Sequence, residues 1–248
     1  MKRHYFNSLR EFYADTANTV GSENYREKEA YDRASWVGLS RASALENKFS
    51  YPVGVEKLNK FADFAVTKDE RVKYWSSDDG FEIDIDRMLE DMDFLLSTRK
   101  IRKLPKTADI YINVSENCDV GYQAMLCKSY AAIKIADKLE TLGVRCAIYA
   151  CAAIAIRTMD GNIGDTIYVE VAVKQHADTL NLGALCTAIS PWMLRRWMFL
   201  FITGHYFDVG RSIGSAIRLP SDIKGIVIDH GMCLDQITAN KFIESIKM

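Results

Sequence analysis

A chain of 248 residues is long enough for one large domain, or for one domain with a smaller annex, at roughly 100–200 residues per domain. Apolar residues make up 48% of it, ordinary for a chain that buries a core, and a formal net charge of −1 excludes both a global basic signal for nucleic acid and an acidic tail. The six cysteines form no C-x-x-C pair and most sit in apolar runs, so they read as reduced, buried thiols without zinc-ligand spacing.

The opening stretch, MKRHYFNSLREFY, has no long apolar run of the signal-peptide kind. No segment approaches the roughly 18 uncharged apolar residues of a membrane span. The expectation is a soluble, cytoplasmic protein.

Residues 1–75 read as polar and mostly helical. Helix-compatible spacing runs through 8–13 and 24–40, Tyr51-Pro52-Val53-Gly54 is a turn signal, and Val55, Leu58, Phe61 and Phe64 recur at intervals of three. Residues 76–95 are acidic and amphipathic, partly helical, with eight carboxylates from Asp78 to Asp93 facing Arg87 alone. The sign then flips at Arg99, Lys100, Arg102, Lys103 and Lys106. This predicts a boundary between a mainly helical annex, 1–104, and a domain, 105–248. The two charged runs either pair with each other as solvated faces, or the basic one docks an anionic partner.

Beyond Pro105 the periodicity changes. Residues 109–114 (DIYINV) predict a strand, and 122–142 a helix with Met125, Ala132, Ala136 and Leu139 on one face and Gly143 as its stop. An apolar strand over 144–156 follows, then a turn at Asp160-Gly161-Asn162, then 166–173 alternating like a half-exposed edge strand. A short helix over 180–189 leads to Pro191, which opens another element. The run 197–203 (WMFLFIT) predicts a buried strand, 223–229 the last strand, and 234–246 a closing helix. The fold class is α/β, an open, doubly wound, mostly parallel sheet with helices on both faces. The short turn at 160–162 makes the third strand antiparallel to the second, because parallel neighbours need a crossover.

In such sheets ligands bind beyond the carboxyl ends of the strands. The first strand ends in Asn113-Val114-Ser115-Glu116-Asn117, where 113, 115 and 117 project together at an extended pitch and Glu116 points away. With INVSEN at 112–117, DTLNLGAL at 178–185, FLFITGH at 199–205 and the closing GIVIDHG, the chain resembles von Willebrand factor A domains. The resemblance implies a site in which D-x-S-x-S, a later Thr and an Asp after the fourth strand hold a divalent metal, usually Mg²⁺, completed by an acidic residue of a partner. Here Asn113 stands for the first Asp, Asn117 for the second Ser and Gly204 for the last Asp, while Ser115 and Thr179 remain. Two missing carboxylates remove most of the affinity for a hard cation. The site therefore reads as degenerate, with no metal and no cofactor. Over its whole length the chain is also similar to a family of phage-encoded proteins, through LETLGVR at 139–145 and WMLRRW at 192–197.

The function expected is non-enzymatic: an adaptor, a phage accessory factor in the host-cell cytoplasm, binding a protein partner through Asn113, Ser115, Asn117, Thr179 and His205. The first alternative is a single-stranded DNA-binding factor that recruits a transcription or replication enzyme, using Arg99, Lys100, Arg102, Lys103, Arg195 and Arg196 beside Trp192 and Trp197. The second is a hydrolase using His230 or Cys233. No Walker loop, G-x-G-x-x-G or G-x-S-x-G is present, and no catalytic residue is assigned.

Overall fold

A computed structural model describes residues 1–18, 37–59, 71–77, 81–90, 92–100, 106–157, 163–206 and 214–246. In chain order the elements are β1 (Lys2–Phe6), α1 (Leu9–Asn18), α2 (Arg41–Glu46), α3 (Pro52–Asn59), β2 (Arg71–Ser76), β3 (Glu82–Ile83), α4 (Ile85–Leu89), β4 (Leu95–Lys100) and β5 (Lys106–Asn113). There follow α5 (Tyr122–Thr141), β6 (Val144–Arg157), β7 (Ile163–Lys174), α6 (Leu182–Ala188), a π-helical stretch (Met193–Met198), α7 (Phe199–His205), β8 (Ser215–Ala216), β9 (Ile226–Ile228) and α8 (Gln236–Ser245).

The chain divides into two compact units, one of residues 1–64 and 107–248, the other of residues 65–106. The larger unit is an α/β structure on a mixed, mostly parallel sheet of six strands, ordered β1-β7-β6-β5-β9, with β8 pairing to β6. β1 runs parallel to β7 and β5 parallel to β9, while β6 is antiparallel to both β7 and β8. The antiparallel pairing expected between the second and third core strands is found between β6 and β7, while the turn expected at 160–162 lies outside the described residues.

Period-two alternation sorts the strands onto two faces. Ile110, Ile112, Ile148, Ala150, Ile167 and Val169 join the buried side chains of α1, α5, α6, α7 and α8 in one core. The opposite parity, Cys151, Ala153 and Tyr168 with Tyr111, Tyr149 and Val227, forms a second, smaller cluster closed by Ile217, Leu219 and Ile223. Among the described residues no helix of this unit contributes to that second cluster. Among the described residues, helix cover is found on one face of the sheet. Small residues at 151 and 153 make room for the Tyr168 ring, and the Tyr111 and Tyr149 rings stack at 4.8 Å.

α5 carries its apolar residues at helical spacing, from Met125 through Ala132 and Ala136 to Leu139. It stops where Gly143 adopts φ +78 and its N–H caps Glu140 O at 3.0 Å, a left-handed conformation that a glycine reaches without steric penalty.

Three expectations fail here. Residues 1–64 belong to the sheet unit, and the separate unit begins near residue 65, because β1 docks on β7 and α1 packs into the same core. β7 consequently lies inside the sheet, not at its edge. WMFLFIT is helical: the chain from Met193 to His205 is a π-helical stretch running into α7, buried on most sides by the core.

The smaller unit holds a three-stranded antiparallel sheet, β2-β4-β3, with Trp75 opposite Leu96 and Ile83 opposite Leu95. Asp84 caps α4 by accepting from the N–H groups of Asp86 and Arg87. The Arg87 guanidinium lies 4.7 Å above the Trp75 ring, and its Nε donates to Asp93 O at 2.8 Å. The segment expected as one amphipathic, partly helical stretch is thus a strand, a single helical turn and a return strand.

Candidate functional site

The carboxyl ends of β5 and β9 meet side by side, Ile112 opposite Ile228, so the residues just past each strand converge. Asn113 is fully buried. Its Nδ2 donates to Asp229 Oδ1 at 2.8 Å and to Ile217 O at 2.9 Å. Its Oδ1 accepts from Ser115 N at 3.0 Å and contacts Ser115 Oγ, which also lies 3.1 Å from Ala153 O. Asp229 Oδ1 takes two further N–H groups, from Leu219 at 3.0 Å and His230 at 2.7 Å.

Beneath this arrangement lies a buried ion pair. Lys128, reaching in from α5, directs its Nζ at Asn113 O (2.9 Å), at Asp229 O (3.0 Å) and at the Glu116 carboxylate. Three ammonium protons meet three oxygens, which satisfies the group completely. The Glu116 carboxylate accepts from Gly231 N at 3.0 Å and lies 3.0 Å from His230 Nδ1. Burial pushes the Lys128 ammonium below the usual lysine range, and the adjoining Glu116 charge opposes that push. His230 Nδ1 faces only acceptors, Glu116 Oε2 and Ser115 O at 3.3 Å, so it carries the hydrogen and leaves Nε2 as the basic nitrogen.

These residues do not fit a divalent cation. Asn113 Oδ1 and Asp229 Oδ1 already accept N–H groups, and the backbone oxygens at the strand ends are taken by a tethered ammonium. Among the described residues no group of three or more His, Cys, Asp or Glu side chains is placed to hold a metal. As for covalent chemistry, Ser115 is buried and internally bonded, and burial pushes the Cys233 thiol up to about 11, which keeps it protonated at neutral pH.

The structure brings together only part of the expected rim. Asn113 and Ser115 are adjacent but inaccessible. Asn117 is exposed in the loop before α5, and Thr179 is exposed in the loop after β7, outside the network. His205 ends α7 in a separate cluster, its Nε2 2.7 Å from Asp15 Oδ2 and its ring 5.9 Å from that of His4. Glu116, expected to point away, turns inward, because the chain leaves the extended pitch after Asn113. Asp229, just past β9, faces Asn113. Gly204, expected just after a strand, lies in α7. A lysine at 128, between Met125 and Ala132 on the apolar stripe, was the available sign of a buried charge.

The basic residues fall in different units of the chain. Arg99 and Lys100 close β4 in the smaller unit, opposite Val72 and Arg71. Arg102 and Lys103 lie outside the described residues. Arg195 is fully buried, its Nη2 donating to Val120 O at 2.5 Å, so it braces the loop before α5 and is withdrawn from phosphate contact. Arg196 is half-buried on the same π-helical stretch. Four of the six cysteines are buried, whereas Cys118 is exposed and Cys127 partly so. No helix among the described residues is long and apolar enough to cross a membrane.

A mixed, mostly parallel sheet packed with helices, its strand ends closed by an internal lysine–glutamate pair, defines an α/β protein. The chain belongs to the family described as Domain of unknown function (DUF7192), which matches residues 1–247. No curated protein and no solved structure matches it significantly.

Proposed function

We propose that this protein acts by binding another protein, as a non-enzymatic adaptor. One observation carries the reading. In the smaller unit Phe81, Ile83, Ile85, Met88, Leu89 and Met92 are all 40–77% exposed within twelve consecutive residues. Leaving that many apolar side chains in one short segment facing water costs free energy, and covering them with a partner recovers it. The strand-end site adds support by contrast, since its polar groups are used up holding β5, α5 and β9 together.

Site-specific photo-cross-linking in cells tests it. A photoreactive residue replacing Leu89 is expected to yield a discrete adduct with one other protein. The same residue replacing Ile237, an exposed apolar side chain on α8, yields none. Identical background labelling at both positions overturns the reading, as does turnover of a small-molecule substrate that is lost in a folded His230→Ala variant.

A further inference from the structure

Charge decides what kind of protein segment fits the exposed patch. Ile85, Met88 and Leu89 stand at i, i+3 and i+4 on α4, so they share one helix face. Phe81, just before β3, and Ile83, at its end, are exposed in the stretch leading into α4. Around them Glu82, Asp86, Glu90 and Asp93 are exposed. Asp84 is spent capping the helix. The one cation between Phe81 and Asp93 is Arg87, and it is turned onto the Trp75 ring and the Asp93 carbonyl. Within residues 81–93 the remaining charge is therefore all carboxylate, and the segment holds two methionines, whose unbranched, polarisable side chains adapt to varied apolar contours.

Resting on the adaptor reading, we infer that this patch binds a basic amphipathic segment: a partner helix with one apolar face flanked by lysines and arginines. Its apolar face covers Ile85, Met88, Leu89 and Met92, and its cations meet Glu82, Asp86, Glu90 and Asp93. The acidic rim repels nucleic acid and anionic lipid, and it favours a cationic partner in encounter as well as in the bound state.

The test uses the full-length protein and three fluorescent peptides of about five helical turns. One is a lysine/leucine sequence with its leucines on one face. The second has the same composition with leucines spread around the helix. The third is the first with glutamate for lysine. The expected result is that the first binds at least about tenfold more tightly than either of the others. Its affinity falls about tenfold in Leu89→Asp and in Glu90→Lys, and it weakens as salt rises from about 50 to about 200 mM. Both substitutions are at exposed positions, and circular dichroism confirms the fold. If the glutamate peptide binds as well as the lysine peptide and Leu89→Asp abolishes both, the basic-partner inference falls while the adaptor reading stands. If no peptide binds and the Leu89 cross-link is also absent, both fall. A dimer in solution that Leu89→Asp dissolves assigns the patch to a second copy and likewise overturns the inference.

Discussion

Lys128 and Glu116 hold each other where neither belongs alone: their side chains are 2% and 1% exposed, with the ammonium against the carboxylate. Removing one partner of such a pair leaves a buried charge unanswered, at about 3–5 kcal/mol. Lys128→Met is expected to lower the unfolding free energy by that amount in urea titrations. The double variant Lys128→Met/Glu116→Gln is expected to regain a good part of the loss, because the stranded carboxylate is gone. A double variant no more stable than the single one would show that the three-oxygen cradle matters more than the charge pairing.

Arg195 is expected to behave as a structural brace. Its guanidinium ties Val120 O, and charge-assisted bonds of this kind contribute about 1.5–3 kcal/mol. Arg195→Met should lose stability on that scale in chemical denaturation. Whatever affinity the wild type shows for single-stranded DNA at low salt should be unchanged in the folded variant, measured by anisotropy.

Much of this was readable in the residues and some was not, for physical reasons. The helix over 122–142 and the strand over 109–114 announced themselves because one-sided burial imposes a strong period. WMFLFIT did not, because a short apolar run buried on most sides carries no period that separates strand from helix. That one ambiguity put Gly204 at a strand end and left the Asn113–Asp229 contact unseen. Lys2–Phe6 was missed for the opposite reason: KRHYF carries too much charge to read as a strand, yet Phe6 and His4 on one parity suffice to seat it against Phe12 and Phe201.

Gly214 offers a sharp backbone test. It sits at φ +131, and a Cβ built there would lie 2.3 Å from Ala155 O, where the chain presses against β6 to form β8. Gly214→Ala is expected to destabilise the protein by more than about 2 kcal/mol in thermal or urea unfolding. A neutral result would mean that the chain does not approach β6 so closely.

Acid is expected to weaken the larger unit through His4. Desolvation lowers its pKa, reinforced by His205 and Lys2 and opposed by Asp15, while its Nε2 meets Tyr206 Oη at 2.6 Å. With the folded pKa below the unfolded value near 6.5, the unfolded chain binds the extra proton first. Stability contributed by neutral His4 is therefore present above pH 6.5 and lost as pH falls toward the lowered pKa. Melting temperatures at pH 7 and pH 5 should differ less in His4→Phe than in the wild type.

The parallel pairing of Lys2 with Ile167 has a consequence during synthesis. A ribosome adding about 5–20 residues per second makes the first strand roughly 8–30 s before its neighbour exists. Throughout that interval the Phe6 and Phe12 rings have no sheet or α7 to settle on, and the nascent chain carries them exposed. Completion of the domain waits on β7 and α7 closing over residues made long before them, the kind of long-range step that sets a slow folding rate and invites chaperone attention.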